Sequence, residues 1–298
     1  VGNPVEIPRT QSQLLLWSSE ASRIIGDIFD EVSRRFTEEA FPDRNEGITL
    51  WQLQASSHAS GESALLLVGN VRLWDADVLV RSVVEGSLKF TFLLVGDESE
   101  RKQKLHEFSD VLFEISALKR NSRLEEILKV LQDPNADEWR PFREMILSPE
   151  SIASIKTKYP RDRRRVIEQR WSFGAICSTL RRSGTEGLSH LGHLMHNYGM
   201  SSHVAHQDSV GIGMVWDRNG RTQERRDAVE LAHGARLISD VCMMSWLRAR
   251  MLFKRCNLDI ALLKPLNERI EDLHGRTKSA TEHFNSVEYG VSSTGNVE

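Results

Sequence analysis

Five of the ten histidines in this 298-residue chain fall in one stretch, His190 to Asp208. His190, His193 and His196 stand three residues apart, and His203 and His206 repeat that step. Residues three apart share a helix face, and neutral imidazole is the commonest transition-metal ligand. The stretch carries no His-Glu-x-x-His glutamate and no cysteine partners, so it matches no known closed metal site. Tyr198, Ser202 and His206 recur at four-residue steps and lie on one helical face. Tyr and Ser donate hydrogen bonds, and His serves as general base near neutral pH. No nucleophile elbow, Walker loop or Gly-x-Gly-x-x-Gly helix opening accompanies them.

Charges elsewhere add candidates. Arg81 and Glu85 stand four apart on an otherwise apolar segment. Buried charges must be paired, so they form either a structural ion pair or the lining of a polar cavity that also receives His203 or His206. Two Glu-x-x-His pairs, Glu230/His233 and Glu271/His274, have the form used in carboxylate-bridged bundles but lie on strongly polar faces. The run Arg161-Asp-Arg-Arg-Arg165 reads as a solvated helix start or as a phosphate-contacting patch.

The elements that must position these residues are helices. Leu14, Trp17, Ala21, Ile24, Ile28, Val32 and Phe36 mark one face of a long helix, which should end before Pro42. A second helix is predicted from Thr49 to about Ser60, with Gly61 and Gly69-Asn70 weakening the helical pattern beyond it. Val71 to Val95 is apolar on nearly every face, as a central buried helix is. Arg101 to Leu131 reads as one or two surface helices, and Ser148-Pro149 as a capped helix start. Thr185 is placed to cap the His-rich helix, and Gly211, Gly213 and Gly220 suggest a loop over the site. Strong helical spacing runs from Thr222 to Lys254, and a last helix from Pro265 to Phe284. Nothing alternates as a strand does. The predicted fold is all-α, a multi-helix bundle around a central buried helix: an extended arm over 1–9, one domain over 10–285 and a disordered tail over 286–298.

Composition bounds the function. The net charge of −3 argues against a general nucleic-acid coat, so any such contact needs a local basic patch. Cys177, Cys242 and Cys256 have no Cys-x-x-Cys spacing and fit buried thiols in a reducing compartment. Arg72, Asp75, Asp77, Arg81 and Glu85 interrupt the most apolar segment, so no membrane span is expected. The N-terminal residues lack the pattern of a secretory leader.

Arg81-Ser-Val-Val-Glu85, Trp171-Ser172 and Tyr198-x3-Ser202-x3-His206 together resemble an uncharacterised bacterial all-helical family, domain of unknown function 5677, over roughly residues 50–215. That resemblance implies a fold class and a site. A wider resemblance is to HEPN domains, helical bundles that are often metal-independent ribonucleases of phage-defence and toxin systems. Ser202-His203-Val-Ala-His206 has the shape of their motif, with Ser202 where Arg is the rule. Arg226-Asp227-x5-His233 and Arg101-x4-His106 fit the loose Arg-x4–6-His form. The resemblance implies a cytoplasmic protein that acts on RNA as a homo-oligomer, a dimer, with no membrane and no cofactor. His206 and His203 would move protons, and Arg81 would supply the charge that Ser202 lacks. A metal-dependent enzyme using the His190–His206 cluster and a non-catalytic binding module stand as alternatives.

Overall fold

A computed structural model describes residues 9–290, the side chains of His190 and His193 excepted. Its α-helices are α1 (Arg9–Ser33), α2 (Arg44–Gly69), α3 (Leu73–Leu94), α4 (Glu98–His106), α5 (Leu112–Val130), α6 (Arg140–Glu144), α7 (Pro149–Lys158), α8 (Arg161–Arg170), α9 (Phe173–Arg182), α10 (Gly192–His206), α11 (Ser209–Gly220), α12 (Gln223–Arg255) and α13 (Lys264–Tyr289). There is no strand among the described residues. The all-α expectation holds.

The described residues cluster into two compact units, one made of residues 9–94 and 180–290, the other of residues 95–179. Most of the expected arm and tail (1–8 and 291–298) lies outside the described residues, and α13 runs on to Tyr289, past the expected tail start at Ser286.

In the first unit α12, 33 residues long, packs against α1, α2, α3 and α13, while α3 packs against α2, α10 and α12. The apolar stripe of α1 (Leu14, Ile24, Ile28, Val32) meets this core and is fully buried. The second helix does not stop near Ser60. It continues through Gly61, where a methyl group would come within 3.2 Å of Val241 Cγ1. The glycine serves close packing with α12 and does not break the helix. Arg248 of α12 is completely buried. It donates to the side chains of Gln54, Ser87 and Ser245, which ties α2 and α3 to α12, and burial pulls its pKa down to about 9.

The second unit is knit around a π turn, Glu107–Val111. The buried Glu107 carboxylate accepts from Arg170 Nη1 at 2.6 Å and from Trp171 Nε1 at 3.0 Å. Ser148 caps α7 as expected, accepting from the Ser151 N–H, with Pro149 at the first position.

Two local expectations fail beside the site. The glycine-rich stretch after Asp208 is the helix α11. Gly211 lies where the start of α11 touches the end of α10, and a Cβ there would fall 2.3 Å from the His203 carbonyl oxygen. The His-rich helix opens through a 3-10 turn, Ser189–Leu191, into Gly192, with no cap from Thr185.

Candidate functional site

On α3, Asp77, Arg81 and Glu85 recur every four residues, which places them in one row. Across from them lie Tyr198 and Ser201 of α10 and His233, Arg236 and Asp240 of α12. The row divides into two clusters.

The deeper cluster centres on Asp77, whose side chain is 4% exposed. Its Oδ1 accepts from Ser201 Oγ at 2.6 Å. Its Oδ2 accepts from Arg236 Nη2 at 3.0 Å and lies 3.1 Å from His233 Nε2. His233 Nδ1 lies 3.0 Å from Arg218 Nη2. A guanidinium only donates, so Nδ1 must hold its lone pair and Nε2 the proton, which goes to Asp77. The imidazole is therefore neutral with both nitrogens engaged. Burial drives its pKa down to about 4, against the pull of the Asp77 hydrogen bond. Burial opposes the charge of Asp77, but the hydrogen bonds of His233 and Ser201 and the charge of Arg236 prevail and hold it at about 2. Arg218 stacks 4.2 Å above the Trp74 ring. Burial lowers its pKa to about 10, so it stays cationic at neutral pH. Asp240, 3.1 Å from Arg236 Nη1, is pushed up to about 6 by burial.

The shallower cluster is a triangle. Tyr198 Oη accepts from Arg81 Nη2 at 2.8 Å and donates to Glu85 Oε1 at 2.8 Å. Arg81 Nε closes it onto Glu85 at 3.2 Å. Burial, then the bond to Glu85, raises the Tyr198 pKa. The phenol thus keeps its proton and anchors α10 on α3. Between the clusters there is a cavity of about 10 Å³, too small for a substrate. Neither His203 nor His206 lines it.

His203 pairs elsewhere. Its Nδ1 lies 2.7 Å from Asp208 Oδ2. Gln207, left-handed at φ 48°, ends α10 and turns the chain into Asp208. Asp208 caps α11, its Oδ1 accepting from the Val210 and Gly211 N–H groups at 3.1 Å. One carboxylate oxygen is therefore fixed by the helix start and the other holds the imidazole. The bond from His203, then that from Gly211, lowers the Asp208 pKa. The carboxylate accepts and Nδ1 donates, and Nε2 has no hydrogen-bond partner among the described residues. The side chain is 41% exposed. His206, one turn on, is exposed, and Ser202 is half-buried.

Of the predicted site residues, Arg81, Glu85 and Tyr198 meet, whereas Ser202, His203 and His206 do not join them. Both Arg-x4–6-His matches are disposed poorly for chemistry. Arg226 donates to the Asn219 and Arg221 carbonyls while His233 is buried. Arg101 reaches back to the Gly96 carbonyl while His106 turns forward to Asp110. No group of three or more metal-ligating side chains converges among the described residues. Sequence reading missed Asp77, Ser201, Arg218, Arg236 and Asp240. The four-residue step from Asp77 through Arg81 to Glu85 and the row His233, Arg236, Asp240 on α12 were the available signals.

Fold and site define an all-helical protein in which the described residues include a buried, fully engaged histidine–aspartate pair, His233–Asp77, and a part-exposed one held by a helix cap, His203–Asp208. No helix among the described residues is long and apolar enough to cross a membrane. Comparison with protein-family models, curated proteins and solved structures found no match to this chain.

Proposed function

We propose that the protein is a metal-independent ribonuclease working by acid–base catalysis at the outer end of α10. One observation carries the reading: the capping carboxylate of Asp208 orients His203 through Nδ1, on a side chain that is 41% exposed and whose Nε2 has no partner among the described residues. Proton transfer needs a basic atom that a substrate can reach and an orienting partner behind it. RNA supplies its own nucleophile in the ribose 2′-OH. His203 Nε2 takes the 2′-OH proton and the 2′ oxygen bonds to the adjacent phosphorus. The 5′ oxygen leaves with a proton from His206 in its imidazolium form. The products are a 2′,3′-cyclic phosphate and a 5′-OH end. Arg81, engaged by Glu85 and Tyr198, holds α10 in place and takes no direct part. The HEPN-like resemblance supports a cytoplasmic, dimeric ribonuclease of a bacterial defence or toxin system.

The test is cleavage of a 5′-fluorescein-labelled single-stranded RNA. The unsubstituted protein should yield cyclic-phosphate ends, and a strand with 2′-deoxy sugars should resist. His203→Ala should slow cleavage by about 100-fold or more, with thermal unfolding unchanged. Intact RNA after prolonged incubation, or a His203→Ala rate equal to the unsubstituted one, overturns the reading. A satisfied polar core such as that around Asp77 also suits a non-catalytic module, and intact RNA would favour that second reading.

A further inference from the structure

We infer that a groove in the 95–179 unit, walled by α5, α7 and α8, binds the phosphate backbone of single-stranded RNA. The choice of RNA among polyanions rests on the proposed function; the groove itself does not. Its volume is about 550 Å³. Five cations line it, Lys119, Lys156, Arg161, Arg164 and Arg165, against the carboxylates of Glu125 and Glu168. Glu168 is taken by Lys119 at 2.5 Å, and Glu125 accepts from Asn121 Nδ2 at 2.8 Å. Lys156, Arg161, Arg164 and Arg165 have no carboxylate within ion-pair distance among the described residues. Their neighbours behave differently: Lys158 pairs with Glu114, Arg140 with Glu144 and Arg170 with Glu107.

The helix sorts the mixed charge of its own sequence. Positions 161, 164, 165 and 168 share one face of α8, and that face lines the groove. Asp162, the acidic residue of the run, is not in the lining. Arg163 turns back to the Lys158 carbonyl and over the Tyr159 ring. Three arginines and a lysine are thus left facing one concave surface, with the Ser122 hydroxyl beside them. Guanidinium groups suit phosphate oxygens in both charge and fork geometry. Clustered unpaired cations along a groove form the footprint of a nucleic-acid backbone. A net charge of −3 makes such a local patch the necessary form of any contact of this kind.

The test is anisotropy of a fluorescein-labelled 20-nucleotide oligouridylate carrying 2′-O-methyl groups, so that binding is read without cleavage. Salt is varied from 50 to 200 mM. The variant Lys156→Gln/Arg161→Gln/Arg164→Gln/Arg165→Gln changes exposed or half-exposed groups, and its fold is checked by circular dichroism. It should bind at least tenfold more weakly at low salt, and its log–log salt slope should be shallower by about 3. A control neutralising Lys102, Lys254, Lys264 and Lys278 should bind nearly as the unsubstituted protein does. Equal affinity and slope for the groove variant, equal losses in groove variant and control, or no binding by the unsubstituted protein each overturn the groove. His203→Ala should retain binding. Groove-dependent binding without cleavage removes the catalytic reading and leaves the groove standing. His203-dependent cleavage with binding indifferent to the four neutralisations does the reverse.

Discussion

His233–Asp77 and His203–Asp208 are the same chemical pair in opposite states. In the first, Asp77 takes the Nε2 proton and Arg218 blocks Nδ1, so no nitrogen is left for a substrate. In the second, Nδ1 donates to Asp208 and Nε2 has no partner among the described residues. Burial decides the rest. The His233 side chain is 7% exposed and the His203 side chain 41%. A histidine–aspartate pair therefore signifies a base only where the second nitrogen is unclaimed and water or substrate can reach it. The exposed pair His106–Asp110 lacks the other requirement. Its two side chains, 58% and 54% exposed, are four apart on one helical stretch, with nothing comparable to the cap that fixes Asp208.

Exchanging the roles of the two pairs sharpens the contrast. The largest effect is expected at the part-exposed pair: His203→Ala should cost about 100-fold or more in RNA cleavage, while the urea unfolding midpoint should barely move, as exposed pairs add little stability. The locked pair should respond oppositely. Asp77→Asn leaves Arg236 facing a neutral group and weakens the link to His233. Urea unfolding should report a loss of about 3–5 kcal/mol. Comparable destabilisation by the two substitutions would erase the distinction.

A pH series probes the locked cluster without disturbing its packing. His233, lowered to about 4 from 6.5, stays neutral in the fold while the unfolded chain takes up a proton. Its contribution is full above 6.5 and fades as pH falls through about 4. Asp240, raised to about 6 from 3.8, acts with the other sign. The folded chain holds a proton that the unfolded one has lost, so its contribution is full below 3.8 and fades as pH rises through about 6. The two offset between pH 4 and 6, and unfolding free energy should be nearly flat there. Asp240→Asn removes the falling part, and stability should then climb by about 3 kcal/mol from pH 4 to 6.5. A flat profile in that variant would show that His233 is not held neutral. The smallest effect is expected at the triangle. Tyr198→Phe removes two hydrogen bonds at a half-buried position and should cost about 1 kcal/mol, read by thermal unfolding.

Much of the fold was legible because helical periodicity is a local property. The stripe on α1, the apolar α3, the long α12 and the cap at Ser148 all depend on residues within a turn or two of each other. Glycines misled in both directions. Gly61 and Gly211 read as breakers, yet each sits inside a helix where another chain segment comes close. A sequence does not show what packs against a glycine. The stretch 95–179 is richer in charged residues than the segments on either side of it, but helical spacing runs through both units alike and marks no boundary between them.

The site divides along the same line. Asp208 is five residues from His203 and Asp110 four from His106, so local spacing could have suggested both pairs. Asp77 is 156 residues from His233 and 124 from Ser201, and no local pattern links them. The sequence by itself determined the helices, their apolar faces and a row of charges every four residues on α3. Only the tertiary structure decided which histidine is neutralised and enclosed and which is left open. For His233, tautomer, pKa and access are set by partners across the bundle, and those partners meet only when distant helices pack.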